Sequence, residues 1–267
     1  MPIHLLQIAK KLAHDAGKLA LEYQANGFKT ESKGGVDLVT EADKACEELI
    51  IRTIQGNFPD HAILSEEAGM IGDPKAEYKW IIDPIDGTLN YAHGLPFYCI
   101  SIAVVHRGLP IIGVVDAPAL KEVFWAQKGK GAFRGSGKPI YVSKVSEMNK
   151  AMNTMGYPYD KTSPATQMSY KLADASHQQG QQVRQIGSAA LEGAYMAAGA
   201  IDGFWHYNLK PWDFAAAKII LEEAGGMMTD MDGQMLMPKN GRVLASNGLL
   251  HTPMIELIKS QGGDKVT

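Results

Sequence analysis

The sequence predicts a layered α/β (α+β) fold in which helices, a sheet, helices, a second sheet and a last helix follow one another. Three observations predict it. Apolar residues recur at three- and four-residue spacing from Leu5 to Phe58. Residues 98–142 are β-rich, with glycine or proline between the strand-like runs. The second half then alternates helix and strand patterns and closes on a helix. The 267 residues suffice for one large domain, expected as two halves of about 1–145 and about 146–267.

In order, Leu5, Ile8, Leu12, Ala16, Leu19 and Tyr23 share one side of a first helix that Asn26-Gly27 ends. Residues 33–37 read as a polar loop. Thr40-Glu41-Ala42-Asp43 has the form of a capping box opening a second helix, with Cys46, Leu49, Ile50, Ile54 and Phe58 on its apolar side. After Pro59-Asp60, a short strand over 61–64 delivers Ser65-Glu66-Glu67, and 69–76 reads as a surface loop. A strand over 80–82 should end at Asp83, because Pro84 cannot donate to a ladder. Further strands are expected at 98–106, 109–116, 123–127 and 138–142. Helix resumes over 163–177, and 182–186 reads as a strand. Ser188 is expected to cap a small-residue helix reaching about Gly199, and 201–206 reads as a strand. Pro211-Trp212-Asp213 opens a helix through Ala224, which Gly225-Gly226 stops. Short strands at 227–229 and 242–246 precede a closing helix over 252–259.

Hydrophobic residues make up 45% and charged residues 21%, the balance of a soluble globular chain. A net charge of −3 gives no basic field for nucleic acid or an anionic membrane. The longest stretch without Asp, Glu, Lys or Arg, 87–105, is broken by Asn90, His93, Gly94 and Pro96, so it is not a membrane span. Cys46 and Cys99 sit in apolar contexts and read as buried thiols of a reducing compartment. The amino-terminal residues lack a signal-peptide pattern, and a cytoplasmic location is expected.

Four acidic residues stand where elements end, which is where sites are built: Glu66, Asp83, Asp86 and Asp213. Two carboxylates at the end of a buried strand precede Gly87-Thr88, where a turn or helix start exposes backbone N–H groups. That combination suits hard cations and a phosphate. Each residue also has a structural reading. Glu66-Glu67 can be a solvated pair, Asp213 an N-cap, Asp43 a capping-box member and Asp86-Gly87 an ordinary turn.

Taken together the pieces form a pattern. Asp37-Leu38-Val39-Thr40-Glu41-Ala42-Asp43, Ser65-Glu66-Glu67, Asp83-Pro84-Ile85-Asp86-Gly87-Thr88, Gly187-Ser188-Ala189-Ala190, Pro211-Trp212-Asp213 and Glu223-Ala224-Gly225-Gly226 follow in that order. This set resembles the inositol monophosphatase family of the lithium-sensitive, magnesium-dependent phosphatase superfamily, over essentially the whole chain. The resemblance implies the sugar-phosphatase fold of alternating α-β-α-β-α layers, shared with fructose-1,6-bisphosphatase, and usually a homodimer. It also implies two to three Mg²⁺ ions. Glu66, Asp83, the Ile85 carbonyl and Thr88 would surround the first, and Asp83, Asp86 and Asp213 the second, with Glu66 facing a weaker third. Gly87 and Thr88 would meet the phosphate. Thr88, held by Asp43, would orient the attacking water. Lys33 would lie on a mobile loop near the metals, and Gly187, Ser188 and Ala189 would meet the alcohol.

The residue types suit that chemistry. Bound Mg²⁺ can activate a water, neutralise phosphate oxygens and stabilise the leaving oxygen. Asp213 at a helix start would be kept ionised there, and Cys99 reads as core rather than nucleophile. One position departs from the pattern. Where many inositol phosphatases carry a glutamate for substrate hydroxyls, this chain has His206. Either His206 contacts a leaving group bearing extra negative charge, or it packs beside Trp205 and Tyr207. The expected function is phosphate release from a small polyol or sugar phosphate. Fructose 1,6-bisphosphate, histidinol phosphate, NADP and 3′-phosphoadenosine phosphate are alternative substrates, and a non-catalytic regulatory dimer is the alternative of another class.

Overall fold

A computed structural model describes residues 2–34, 37–239 and 241–266. Helix α1 (Pro2–Asn26) is followed by a hairpin of β1 (Thr30–Gly34) and β2 (Asp37–Thr40), then α2 (Glu41–Asn57). Strands β3 (Ala62–Ser65), β4 (Gly69–Ile71) and β5 (Tyr78–Asp86) lead into the one-turn helix α3 (Thr88–Ala92). Strands β6 (Cys99–His106), β7 (Leu109–Ala117), β8 (Glu122–Gln127), β9 (Ala132–Arg134) and β10 (Lys138–Pro139) follow. The remainder is β11 (Met152–Met155), α4 (Pro164–Gln178), β12 (Gln182–Arg184), α5 (Ala189–Ala197), β13 (Gly203–Leu209), α6 (Pro211–Glu223), β14 (Met227–Thr229), β15 (Gly241–Ser246) and α7 (His251–Ser260).

The larger sheet has eight strands in the order β10-β9-β8-β7-β6-β5-β3-β4, and the smaller has five in the order β12-β11-β13-β15-β14. Helices α1 and α2 cover one face of the larger sheet, and α5 and α6 the other. The smaller sheet packs behind α5 and α6, and α4 and α7 cover its outer face, completing the five layers. Strand alternation sorts the core. Trp80, Ile82, Ile100, Ile102 and Val104 face α1 and α2, while Ile81, Ala103, Val105 and Phe124 face α5 and α6. Both sets are buried, so the central strands read as continuous apolar runs. Phe124 of the larger sheet and Phe204 and Val243 of the smaller one share one cluster with α6, so one core spans both sheets. Among the described residues no helix is long and apolar enough to cross a membrane.

The structure corrects several local expectations. The polar run expected as a loop at 33–37 contributes to both strands of the β1–β2 hairpin, where Glu31 pairs with Val39 and Ser32 with Leu38. The loop at 69–76 contains β4, which pairs with β3. The strand expected over 138–142 is paired only at Lys138 and Pro139. The Ile140 N–H still donates to the Ala132 carbonyl, and the chain then leaves β9, the Val142 N–H donating to the Ala224 carbonyl at the end of α6. Most importantly, β5 does not stop at Pro84. Asp83 pairs with Ser101 and Asp86 with Cys99, so three steps on β5 match two on β6. One extra residue forms a β-bulge there, and a bulge is where a sheet tolerates proline.

Candidate metal and phosphate site

The bulge decides the geometry. In a regular strand, residues three apart point to opposite faces. The extra residue restores the alternation, so Asp83 and Asp86 both face the α5–α6 layer, opposite Ser101 and Cys99. Ile85, between them, turns into the core beneath α1 and α2. The Asp83 carboxylate accepts the Ile85 N–H at 3.1 Å, which closes the bulge from inside. Because β3 runs parallel to β5 with Ser65 opposite Ile82, the next residue, Glu66, comes out beside Asp83.

Gly87 follows with φ of 96°. A Cβ there would lie 2.9 Å from the Phe97 carbonyl oxygen and 3.1 Å from that of Gly187, so both conformation and space require glycine. Thr88 opens α3. Its hydroxyl has two acceptors, the Ile85 carbonyl at 3.0 Å and the Asp43 carboxylate at 3.2 Å. Asp43 is also a capping-box residue: its other oxygen accepts the Thr40 N–H at 2.9 Å and the Thr40 hydroxyl at 2.5 Å. Asp43 therefore serves the capping box through one oxygen and reaches Thr88 through the other.

Asp213 arrives from α6. It is not the N-cap expected: Lys210 holds that position, and Asp213, three residues on, accepts the Lys210 N–H at 2.7 Å. The Ser101 hydroxyl donates to the Trp212 carbonyl at 3.1 Å and ties this start to β6. The result is a cluster in which one carboxylate oxygen each of Asp83, Asp86 and Asp213 lies within 4.8 Å of the others.

The electrostatics are those of a site waiting for positive charge. Burial pushes the Asp83 carboxyl well above the ordinary carboxylate range, and repulsion from Glu66, Asp86, Asp213 and Asp43 adds to the shift. Asp213 is raised well above it by burial, then by Asp86, against the Lys210 N–H bond. Asp86 is raised to about 6 by burial, with hydrogen bonds from Ser188 and Ala190 opposing. Asp43 is raised as well, chiefly by burial. Converging hard oxygen donors that repel one another fit a Mg²⁺-class cation and not a soft metal. The Cys99 thiol, fully buried and 3.7 Å from Asp86, is pushed well above its ordinary range, which leaves it inert.

The alcohol side departs from expectation. Ser188 precedes α5, but its side chain makes no capping bond. Its hydroxyl instead donates to Asp86 at 2.6 Å, and the Ala190 N–H donates to the same oxygen at 2.8 Å. Asp86 thus caps α5 from 104 residues away. Ser188 and Ala189 are buried, and only Gly187 of the three is exposed. The Lys33 side chain lies outside the described residues.

His206 does not pack beside Trp205 and Tyr207 as one reading expected. Trp205 and Tyr207 point to the opposite face of β13, into the α4–α7 core, because neighbours on a strand alternate. The His206 ring is buried, with Nε2 2.8 Å from Glu192 and its Nδ1–Cε1 edge against Gly156. A Cβ at Gly156 would come within 2.3 Å of that edge. Glu192, which sequence reasoning missed, also accepts the Thr154 hydroxyl at 3.0 Å and the N–H groups of Ile186 and Gly187 at 3.2 and 3.3 Å. A carboxylate only accepts, which assigns the proton to His206 Nε2. The available signal was a lone charge in the small, apolar run Ala189–Ala197, which must be buried and paired. His206→Glu is accordingly expected to lose about 3–5 kcal/mol of stability, since it sets a second carboxylate against buried Glu192. Glu192→Gln added to it should recover much of that loss. Chemical denaturation checks this, and an unchanged midpoint for the single variant would mean the bridge carries no load.

Known proteins resemble this chain over nearly its whole length. A model of the inositol monophosphatase family matches residues 2–262. The phosphatase IMPL1, chloroplastic, of Arabidopsis thaliana is 38% identical over 266 residues, covering 96% of this chain and 70% of that protein. The fructose-1,6-bisphosphatase/inositol-1-monophosphatase of Thermotoga maritima is 37% identical, covering 95% of each. The solved inositol monophosphatase of Anabaena (Nostoc) sp. PCC 7120 superposes with a TM-score of 0.87 at 37% identity, over 96% of each chain.

Proposed function

The chain belongs to the inositol monophosphatase family, and from that premise we propose that it is a Mg²⁺-dependent hydrolase of small polyol or sugar phosphates. The family hydrolyses phosphate monoesters and is metal-dependent. The observation that carries it is the convergence of Asp83, Asp86 and Asp213 within 4.8 Å. These three would hold Mg²⁺, with Glu66 and the Ile85 carbonyl at its edge. When bound, Mg²⁺ supplies charge neutralisation and acidifies a water.

The chain's own residues do the rest. Thr88 has one hydroxyl proton and two acceptors around it, Asp43 and the Ile85 carbonyl. Its oxygen can accept a hydrogen bond from the attacking water, so that the water's proton would pass to Thr88 Oγ1 as the Thr88 proton passes to the Asp43 carboxylate. Gly87, required by its positive φ and by the Phe97 and Gly187 carbonyls, leads into α3, whose opening N–H groups would meet the phosphate. A homodimer belongs to the same proposal.

A second reading, phosphate release from a sugar bisphosphate, is supported by the double name of the Thermotoga maritima relative. It is supported too by the histidine at 206, which leaves no free carboxylate there for polyol hydroxyls. The test is phosphate release from myo-inositol 1-phosphate, fructose 1,6-bisphosphate, histidinol phosphate, NADP and 3′-phosphoadenosine phosphate, each with Mg²⁺ or chelator. Turnover is expected only with Mg²⁺, restored when Mg²⁺ is returned, and inhibited by lithium. Full activity in chelator sinks the reading, and the preferred ester separates its two forms.

A further inference from the structure

Helix α2 carries two buried carboxylates one turn apart, Asp43 and Glu47. Asp43 holds Thr88. Glu47 serves the other ligand-bearing segment. Its Oε1 accepts the Ser65 hydroxyl, the Glu67 N–H at 3.0 Å and the Ala68 N–H at 3.1 Å. Those three donors bracket Glu66 on both sides. Ser65 is the last residue of β3, and Glu67 and Ala68 lie in the turn that joins β3 to β4, where the ladder no longer pairs their N–H groups. A charged acceptor collecting three donors is a strong local tether.

We propose that Glu47 is a positioning residue for the metal centre. It fixes the 65–68 turn and thereby aims Glu66 at Asp83. Helix α2 is the rigid spacer: Asp43 at its first turn sets the 83–88 segment, Glu47 at its second sets the 65–68 segment, and one helical rise fixes the offset between them. The Thr40 capping box anchors the start of that spacer. Glu47 contacts none of Asp83, Asp86 and Asp213 through any of these bonds, so its effect passes through Glu66. The proposal rests on the metal reading of Glu66, Asp83, Asp86 and Asp213.

The test compares Glu47→Met with Glu47→Gln in the full chain. Methionine has similar length and no strong acceptor, whereas glutamine keeps one carbonyl oxygen for the three donors. Mn²⁺ binding is measured by electron paramagnetic resonance on metal-free protein, and the Mg²⁺ dependence of phosphate release is measured beside it. Glu47→Met should weaken Mn²⁺ binding by about tenfold or more, the scale of losing an outer partner of a metal ligand. The Mg²⁺ concentration for half-maximal activity should rise by the same factor. At saturating Mg²⁺ the KM for the ester should stay within about twofold, because no substrate contact is removed. Glu47→Gln should restore Mn²⁺ binding to within about threefold of wild type. A folded Glu47→Met protein that binds Mn²⁺ as tightly as wild type overturns the proposal. Should Glu47→Met not fold, Ser65→Ala removes a single donor, and Mn²⁺ binding unchanged in it is equally decisive against the tether. Wild type that binds no Mn²⁺ would overturn the metal reading itself, and this proposal with it.

Discussion

Asp213→Asn is expected to give a folded protein, no less heat-resistant than wild type, whose kcat has fallen by about 10³-fold or more, the upper range for losing one group that stabilises developing charge. The two effects have opposite signs because Asp213 does two jobs. As a cap it accepts the Lys210 N–H at 2.7 Å, and an asparagine oxygen accepts that bond about as well. As a charge it is unfavourable in the metal-free protein, since burial and Asp86 hold its carboxyl well above the ordinary range. Removing the charge relieves that repulsion. The same substitution takes one charged oxygen from the three that converge within 4.8 Å, which a metal-assisted displacement cannot spare. Thermal unfolding and steady-state kinetics on one preparation decide it. Unchanged kcat, or loss of cooperative unfolding, would reduce Asp213 to a cap.

In metal-free protein, stability is expected to fall as pH rises from about 4 to about 8, and Mg²⁺ should reverse the fall. The sign follows from Asp83, Asp86 and Asp213, whose carboxyls all titrate higher when folded. Between the unfolded and folded values the native state binds more protons, so their contribution is fully present below the unfolded value and is lost as pH passes the folded one. Asp86 moves from 3.8 to about 6. At about 1.4 kcal/mol for each pH unit of separation, its own part of the loss is about 3 kcal/mol. Mg²⁺ binds the ionised carboxylates, so it should raise the melting temperature more at about pH 8 than at about pH 5. Melting curves in chelator and in Mg²⁺ at both pH values measure this. An equal Mg²⁺ shift at the two values, or a metal-free melting temperature that climbs with pH, contradicts the cluster's electrostatics. Repeating the series in Asp213→Asn should flatten the metal-free slope.

What the sequence by itself determined is whatever depends on neighbours within a turn or two. The amphipathic faces of α1 and α2 follow from periodicity, and the Thr40–Asp43 capping box closes within three residues. The start of α6 at Pro211, with Asp213 accepting the Lys210 N–H three residues back, is equally local. The acidic residues could be named because each stands at an element's end. Tertiary structure alone decided how they meet. Pro84 looked like a strand stop, yet pairing with β6 converts it into a bulge, and only that bulge puts Asp83 and Asp86 on one face. Ser188 looked like the cap of α5, yet Asp86, distant in sequence, takes that role because the two sheets share a core around α6. The side-chain partners of Glu47 and Glu192, Ser65 for the first and His206 and Thr154 for the second, lie 14 to 38 residues away. A hydrogen bond across such separations has no local periodicity to betray it. It exists because burial strips water from a carboxylate, and a buried carboxylate must find donors wherever the fold has brought them.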